Sequence, residues 1–318
     1  MWNELRAWLH HARLRVRRTH GLLVEAGELY EQGAYADAVE RARLVTLRRP
    51  SLREGWELLG LALHHLGEDA DAVAAFERGI AETGPTGSLW HHLGNTHAQF
   101  GRSEEAIDCY ARATAIEPRC AEIYYSKALA LFVVERVSAG LFEARIAAGL
   151  KPREPRYRCL VAQGLSSLGR VDEAFAEYRE ALALDPAYAE IYCDLGTLYQ
   201  EQDQIEEARA CYETAIRLDN ECATAFFNLG TLARWAEDDQ DACLYFERAA
   251  ALDPEDAVFH YELAGALAGL GLRIEAIRRL SRALRLDPAL GIQARTDEDF
   301  VGLHRLRTFR RLVTAAGE

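Results

Sequence analysis

No stretch of this 318-residue chain approaches the run of roughly 20 apolar residues with which a helix crosses a bilayer. The first residues also lack the apolar run of a signal peptide, because Asn3, Glu4, Arg6, His10 and His11 interrupt them. Both absences predict a soluble, cytoplasmic chain. No segment alternates polar and apolar residues with the period of a strand, so nothing supports a sheet. Chemistry is equally scarce. There is no phosphate loop, no His-Glu-x-x-His pair and no nucleophile elbow. Gly265, Gly269 and Gly271 are glycine-rich without the preceding strand that a dinucleotide site requires. His64 and His65 end one helix, whereas His91 and His92 lie midway along the next. That offset is about 10 Å at about 1.5 Å per residue, and zinc ligands must converge within about 2 Å of one point. The expectation is a protein that is not an enzyme, with no catalytic residues, no metal and no cofactor.

What the chain does have is a period. Pro50, Pro118, Pro152, Pro186, Pro254 and Pro288 fall on one 34-residue grid. Counted from Thr19, the grid defines eight units that begin at Thr19, Arg53, Gly87, Ala121, Pro155, Ala189, Ala223 and Ala257. The eighth slot of a unit is always Gly or Ala, as in Gly60, Gly94, Ala128, Gly196 and Gly230, and so is the twentieth, as in Ala72, Ala106, Gly140 and Ala208. Helices approach closely only where side chains are small, so these slots mark a crossing. Large residues oppose them: Trp56, Trp90, Tyr124, Tyr192 and Phe226 in the fourth slot, and Phe76, Tyr110, Tyr178, Tyr212 and Phe246 in the twenty-fourth. A repeat of this length marks a solenoid, in which each unit buries its apolar face only against its neighbours.

Trp56, Leu59, Gly60, Gly67, Ala72 and Phe76, and again Trp90, Leu93, Gly94, Gly101, Ala106, Tyr110, Ala113 and Pro118, carry a pattern that resembles the tetratricopeptide repeat. The resemblance runs from Thr19 to about Leu290. It implies an all-α fold, a right-handed α-solenoid superhelix of stacked antiparallel helix pairs. Residues 19–290 form the eight repeats, 1–18 an amphipathic N-terminal capping helix and 291–318 C-terminal capping helices. Local signals agree. Gly33, Gly67, Gly101, Gly169 and Gly271 occupy the turn within a unit, where a left-handed backbone suits Gly. Acidic pairs such as Glu104 with Glu105 follow that turn and complement a helix N-terminus rather than forming an acid and base pair. Asp185-Pro186, Asp253-Pro254 and Asp287-Pro288 close second helices.

Seven cysteines fall largely on shared slots, Cys109 with Cys211, Cys120 with Cys222 and Cys159 with Cys193. Like slots on adjacent units lie about 10 Å apart, beyond the roughly 4.4 to 6.8 Å between Cα atoms that a disulfide spans. Reduced thiols are the expectation. The N-terminal stretch sets Trp2, Leu5, Trp8, Leu9, Ala12 and Val16 on one helical face, with Arg13, Arg15, Arg17 and Arg18 around them. Capping of the first unit is the simpler reading, and contact with an anionic membrane surface is the alternative.

The resemblance also places function in the groove lined by first helices, at slots 2, 5, 6, 9, 12 and 13. Glu31, Glu54, Glu57, Glu122, Glu190, Asp194, Glu201 and Glu262 occupy those slots, against Arg156 and Arg234 as the only Lys or Arg entries. An acidic groove, in a chain of formal charge -13, selects a basic segment of another protein and speaks against nucleic acid. The Lys, Arg and Asn set of a carboxylate clamp is missing, and Asn228 is the sole Asn at slot 6. The backbone of a bound peptide would meet His92, Ser126, Asp194 and Asn228 instead. Candidate partner-binding residues are His91, His92, Asn95 and Asp194, together with two clusters. Tyr125, Leu129, Phe132 and Val133 form an apolar stripe in the fourth unit, with internal burial as the rival reading. Phe227, Asn228, Arg234, Trp235, Tyr261 and Glu262 join aromatic and polar groups in the seventh and eighth units. A non-enzymatic interaction scaffold is the expected function. The alternatives are a targeting subunit for an enzyme on a separate chain and a membrane-surface adaptor, and self-association through the solenoid ends is left open.

Overall fold

The alternation of small and large slots becomes helix against helix. The computed structural model describes residues 19–315, and among them there is no strand. The chain is an all-α solenoid of helices packed in consecutive pairs. It divides into two compact units, one ending at Arg170 and the other beginning at Val171.

The first unit holds α1 (residues 19–31), α2 (Tyr35–Arg48), α3 (Arg53–His65), α4 (Asp69–Thr83), α5 (Gly87–Gln99), α6 (Ser103–Ile116), α7 (Ala121–Val133), α8 (Val137–Leu150) and α9 (Pro155–Ser167). First helices also touch across the intervening second helix, α3 with α5, α5 with α7 and α7 with α9, and so share one face. The second unit holds α10 (Val171–Leu184), α11 (Ala189–Glu201), α12 (Ile205–Leu218), α13 (Ala223–Trp235), α14 (Asp239–Leu252), α15 (Ala257–Gly269), α16 (Arg273–Leu286), α17 (Leu290–Ala294), a 3-10 turn (Glu298–Leu303) and α18 (Arg307–Ala315). There α11 touches α13 in the same way.

Glycine at the eighth slot is required by the ring that fills it. A Cβ added at Gly60 would lie 2.5 Å from the Phe76 ring, and one at Gly94, Gly196 or Gly230 would lie 2.6 Å from Tyr110, Tyr212 or Phe246. Successive repeats are joined by a second recurring device. The Trp56 indole N–H and the Tyr124 and Tyr192 hydroxyls donate to the carbonyls of Pro50, Pro118 and Pro186, at 2.7, 3.3 and 3.3 Å. His260 Nε2 pairs with the Pro254 carbonyl at 3.1 Å. The grid proline therefore ends one repeat and offers an acceptor to the next. In the second unit the carboxylates of Asp185, Asp219, Asp253 and Asp287 each accept from the backbone N–H two residues on, which closes the same turn.

The fourth pair, α7 with α8, departs from the pattern. Ala144 stands where five other repeats carry an aromatic residue, and the space is filled from the opposite helix. Phe132 of α7 lies where a Cβ at Gly140 or Gly164 would meet its ring at 2.4 or 2.7 Å. Lys127, in a slot usually held by Leu, pairs with Glu143 at 2.6 Å, both largely shielded from water.

At the far end Phe300, Leu303, Phe309 and Val313 join the buried cluster of Tyr261, Leu263, Leu267 and Leu280. The capping helix expected over 1–18 lies outside the described residues.

Candidate functional site

In the first unit, α5 and α7 bring together His91, His92, Asn95, Ser126 and Leu129, with Tyr110 of α6 beneath them. His91 Nε2 pairs with Ser126 Oγ at 3.0 Å, and the Tyr110 hydroxyl donates to Asn95 Oδ1 at 2.7 Å. The histidine rings pack on one another and on Phe76 and Tyr110 rather than pointing at a common centre. Among the described residues no group of His, Cys, Asp and Glu is placed to hold a metal ion. Burial pushes the His91 imidazole down to about 4, with the neighbouring His92 acting in the same direction. His92 and His64 are lowered for the same first reason, so this patch is uncharged at neutral pH.

Beside these rings lies a cavity of about 400 Å³ lined by Asn95, Tyr110, Ser126, Leu129, Ala130 and Val133 among others. Leu129 and Val133 are 39% and 72% exposed, so half of the expected apolar stripe faces solvent. The other half turns inward. Phe132 fills the space that Ala144 leaves, and Tyr125 packs edge-on to Tyr157 under the Arg156 guanidinium. Arg156, one of the two cations expected in the groove, is itself paired with Glu122.

In the second unit Asp194 is half-buried on α11. Phe227 of α13 packs on Phe246 and Phe259, with ring centroids 5.6 and 5.1 Å away. Half-buried Asn228 follows it. Trp235, at the end of the same helix, is 58% exposed. Arg234 does not project toward solvent as an unpaired cation, because its guanidinium bridges Asp239 and Asp299. Tyr261 is buried and donates to Asp297 Oδ2 at 2.7 Å, so it serves the packing of the C-terminal segment. Glu262 is raised above the usual carboxylate range, first by burial and then by Asp299 and Asp297, with Arg234 opposing. Sequence reasoning missed Asp239, Asp297 and Asp299. The available signal was the acidic run that begins at Asp297, off the repeat grid.

The first unit thus carries a neutral aromatic patch and an apolar hollow, and the second carries exposed Trp235 and a cluster of carboxylates around Arg234. Tetratricopeptide repeat family models match residues 23–87, 87–120 and 193–257, and a TPR repeat model matches 165–203. The chain belongs to the tetratricopeptide repeat family. Sequence comparison with curated proteins gives no match. Among solved structures, a tetratricopeptide repeat protein from Parabacteroides merdae ATCC 43184 is 15% identical with a TM-score of 0.68, over 78% of this chain and 98% of that one. Yeast Tom70 is 16% identical with a TM-score of 0.69, over 90% of this chain and 58% of its own. Pseudomonas aeruginosa pilF is 17% identical with a TM-score of 0.52, over 64% and 92%. These similarities establish the fold. Among the described residues no helix is long and apolar enough to cross a membrane.

Proposed function

We propose that this chain is a non-enzymatic scaffold that holds a basic segment of another protein, with bulky apolar anchors, against its first helices. The observation that carries this reading is the crowding of carboxylates around one guanidinium. Asp239 and Asp299 bind Arg234 directly, while Asp297 and Glu262 lie close enough to add to the negative field. One cation among these carboxylates leaves the cluster short of positive charge, and Glu262 is raised first by burial and then by the Asp299 and Asp297 charges. A lysine or arginine of a partner relieves it, with the exposed face of Trp235 available for apolar or cation–π contact. In the first unit the hollow bordered by Leu129 and Val133 suits an apolar anchor.

The test is a peptide array graded in Lys and Arg content, each composition present with and without Trp, Phe and Leu. Basic peptides with apolar anchors should be retained best, less so as salt is raised. The double variant Asn228→Ala/Trp235→Ala should lose affinity at least about tenfold while keeping its helix content. Equal retention of acidic peptides, or an unaffected double variant, overturns the reading.

A further inference from the structure

Comparison of like slots kept the cysteines apart, but the helices bring two unlike slots together. Cys193 lies in the first half of α11, and Cys222 is the residue that caps the N-terminus of α13. Their sulfurs are 3.3 Å apart across 29 positions of chain. Both are free thiols. They share a small apolar cluster with Ala215 and Ala225, bordered by Tyr192 and Ile216.

The two thiols are not equivalent. Cys193 is buried, whereas Cys222 is partly exposed to solvent. The two thiols are hydrogen-bonded, and either sulfur could be the donor. Cys222 is lowered to about 7 by that hydrogen bond and, to a smaller extent, by the Ala225 backbone N–H, against the opposing effects of burial and of Asp219 and Glu190. Cys193 moves the other way, held protonated first by the bond to Cys222 and then by burial, with Asp194 and Glu190 adding to it. An accessible thiol at a helix N-terminus, with a second thiol behind it, is the arrangement in which peroxide oxidation is selective. Elsewhere burial pushes Cys109, Cys211 and Cys243 up to about 11, which makes them poor nucleophiles near neutral pH.

We propose that Cys193 and Cys222 form a peroxide-reactive site that closes to an intramolecular disulfide joining α11 to the start of α13. Cys222 gives up its proton and its thiolate attacks one oxygen of hydrogen peroxide. A sulfur–oxygen bond forms as the oxygen–oxygen bond breaks, and the departing hydroxide takes the proton to become water. Cys222 is then a sulfenic acid. The Cys193 sulfur attacks the Cys222 sulfur, the sulfur–oxygen bond breaks, and the leaving hydroxide takes the Cys193 proton as a second water. Two thiols are oxidised by two electrons in total, and one peroxide is reduced to two waters. The sulfurs need approach by only a little over about 1 Å to reach bonding distance. The product ties together two successive first helices, next to Phe227 and Asn228.

The experiment treats the reduced full chain with one equivalent of hydrogen peroxide and reads intact mass, thiol alkylation and the cross-linked peptide. The expected result is a loss of about 2 Da, loss of two alkylation sites, and a peptide pair joining Cys193 to Cys222, all reversed by dithiothreitol. In Cys193→Ser, Cys222 should stop at the sulfenic acid and be trapped by dimedone. In Cys222→Ser the peroxide reactivity should disappear. Phenylarsine oxide, which bridges two adjacent thiols, gives a second measure on the unmutated chain and should protect the same two residues from alkylation. The proposal is overturned if all seven thiols still alkylate, if the cross-link maps to another pair, or if phenylarsine oxide protects neither residue.

Discussion

The third and fourth helix pairs solve one packing problem in opposite directions. In the third, Tyr110 of the second helix covers Gly94 of the first; in the fourth, Phe132 of the first helix covers Gly140 of the second and reaches Gly164 of α9. The aromatic slot has been vacated to Ala144, and the ring has moved to the facing helix. In both of these pairs a ring lies against a glycine, and either helix can supply the ring. The fourth pair makes a further exchange at the Leu slot, where Lys127 with Glu143 replaces an apolar contact by a shielded ion pair. Such a pair offsets its own desolvation at best, which leaves the packing of this region to Phe132.

The largest expected effect tests that dependence. Phe132→Ala should destabilise the chain by about 3 kcal/mol, toward the lower end for removal of a packed ring because the side chain is half-buried. Leu129→Ala, on the exposed side of the same helix, should cost well under about 1 kcal/mol. Chemical denaturation followed by circular dichroism compares the two. Equal costs would mean that Phe132 is a surface residue and that the fourth pair is held by something other than the exchanged ring.

The same comparison shows what could be read from residues alone. Helix pairs, turns and the knobs for small holes were legible because each rests on a slot repeated along the chain, so one weak signal is seen many times. Phe132 was harder, since slot 12 faces the groove in a regular unit and only the joint reading of Ala144, Gly140 and Phe132 reveals the exchange. Arg234 and Tyr261 were placed on the first-helix face without their partners, because Asp297 and Asp299 lie beyond the last repeat and no period predicts where they return. Cys193 and Cys222 were missed for a related reason. Their approach joins the body of one helix to the cap of another, whereas a slot comparison asks only how far like lies from like.

The two units also differ in how their polar groups respond to acid. His91 in the first unit has a folded value of about 4, below the ordinary imidazole range. Between about pH 6.5 and that value the unfolded chain binds a proton that the folded chain refuses, so stability falls on acidification; His92 and His64 act in the same direction. Glu262 in the second unit is raised, so its folded form keeps a proton to higher pH than the unfolded chain does. Its contribution is fully present below the unfolded carboxylate value and is lost as pH rises through the folded one. Hydrogen exchange should therefore show protection of α5 dropping between pH 7 and pH 5 while α15 holds or gains. Glu262→Gln should stabilise the chain at pH 7 and weaken capture of basic peptides. A parallel loss in both helices would show that acid acts on the chain as a whole.

The smallest effect concerns the turns, which look alike in backbone but not in sequence. The turn position has positive φ in all eight repeats, filled by Gly33, Gly67, Gly101, Gly169 and Gly271 but also by Glu135, Asp203 and Glu237 at φ 58, 57 and 58. The backbone conformation is therefore set by the packing of the pair, and glycine merely suits it. A side chain held there costs about 1 to 2 kcal/mol of local strain, while glycine costs roughly 0.5 to 1 kcal/mol in chain entropy. The balance favours Glu135→Gly, Asp203→Gly and Glu237→Gly by about 0.5 kcal/mol each, and Gly67→Ala should lose a similar amount or more. Since the turns sit in separate repeats, the three glycine substitutions should add within error when combined. Denaturation midpoints of the singles and the triple decide it. A triple variant less stable than the parent would mean that the acidic side chains at these turns contribute more than the strain they carry.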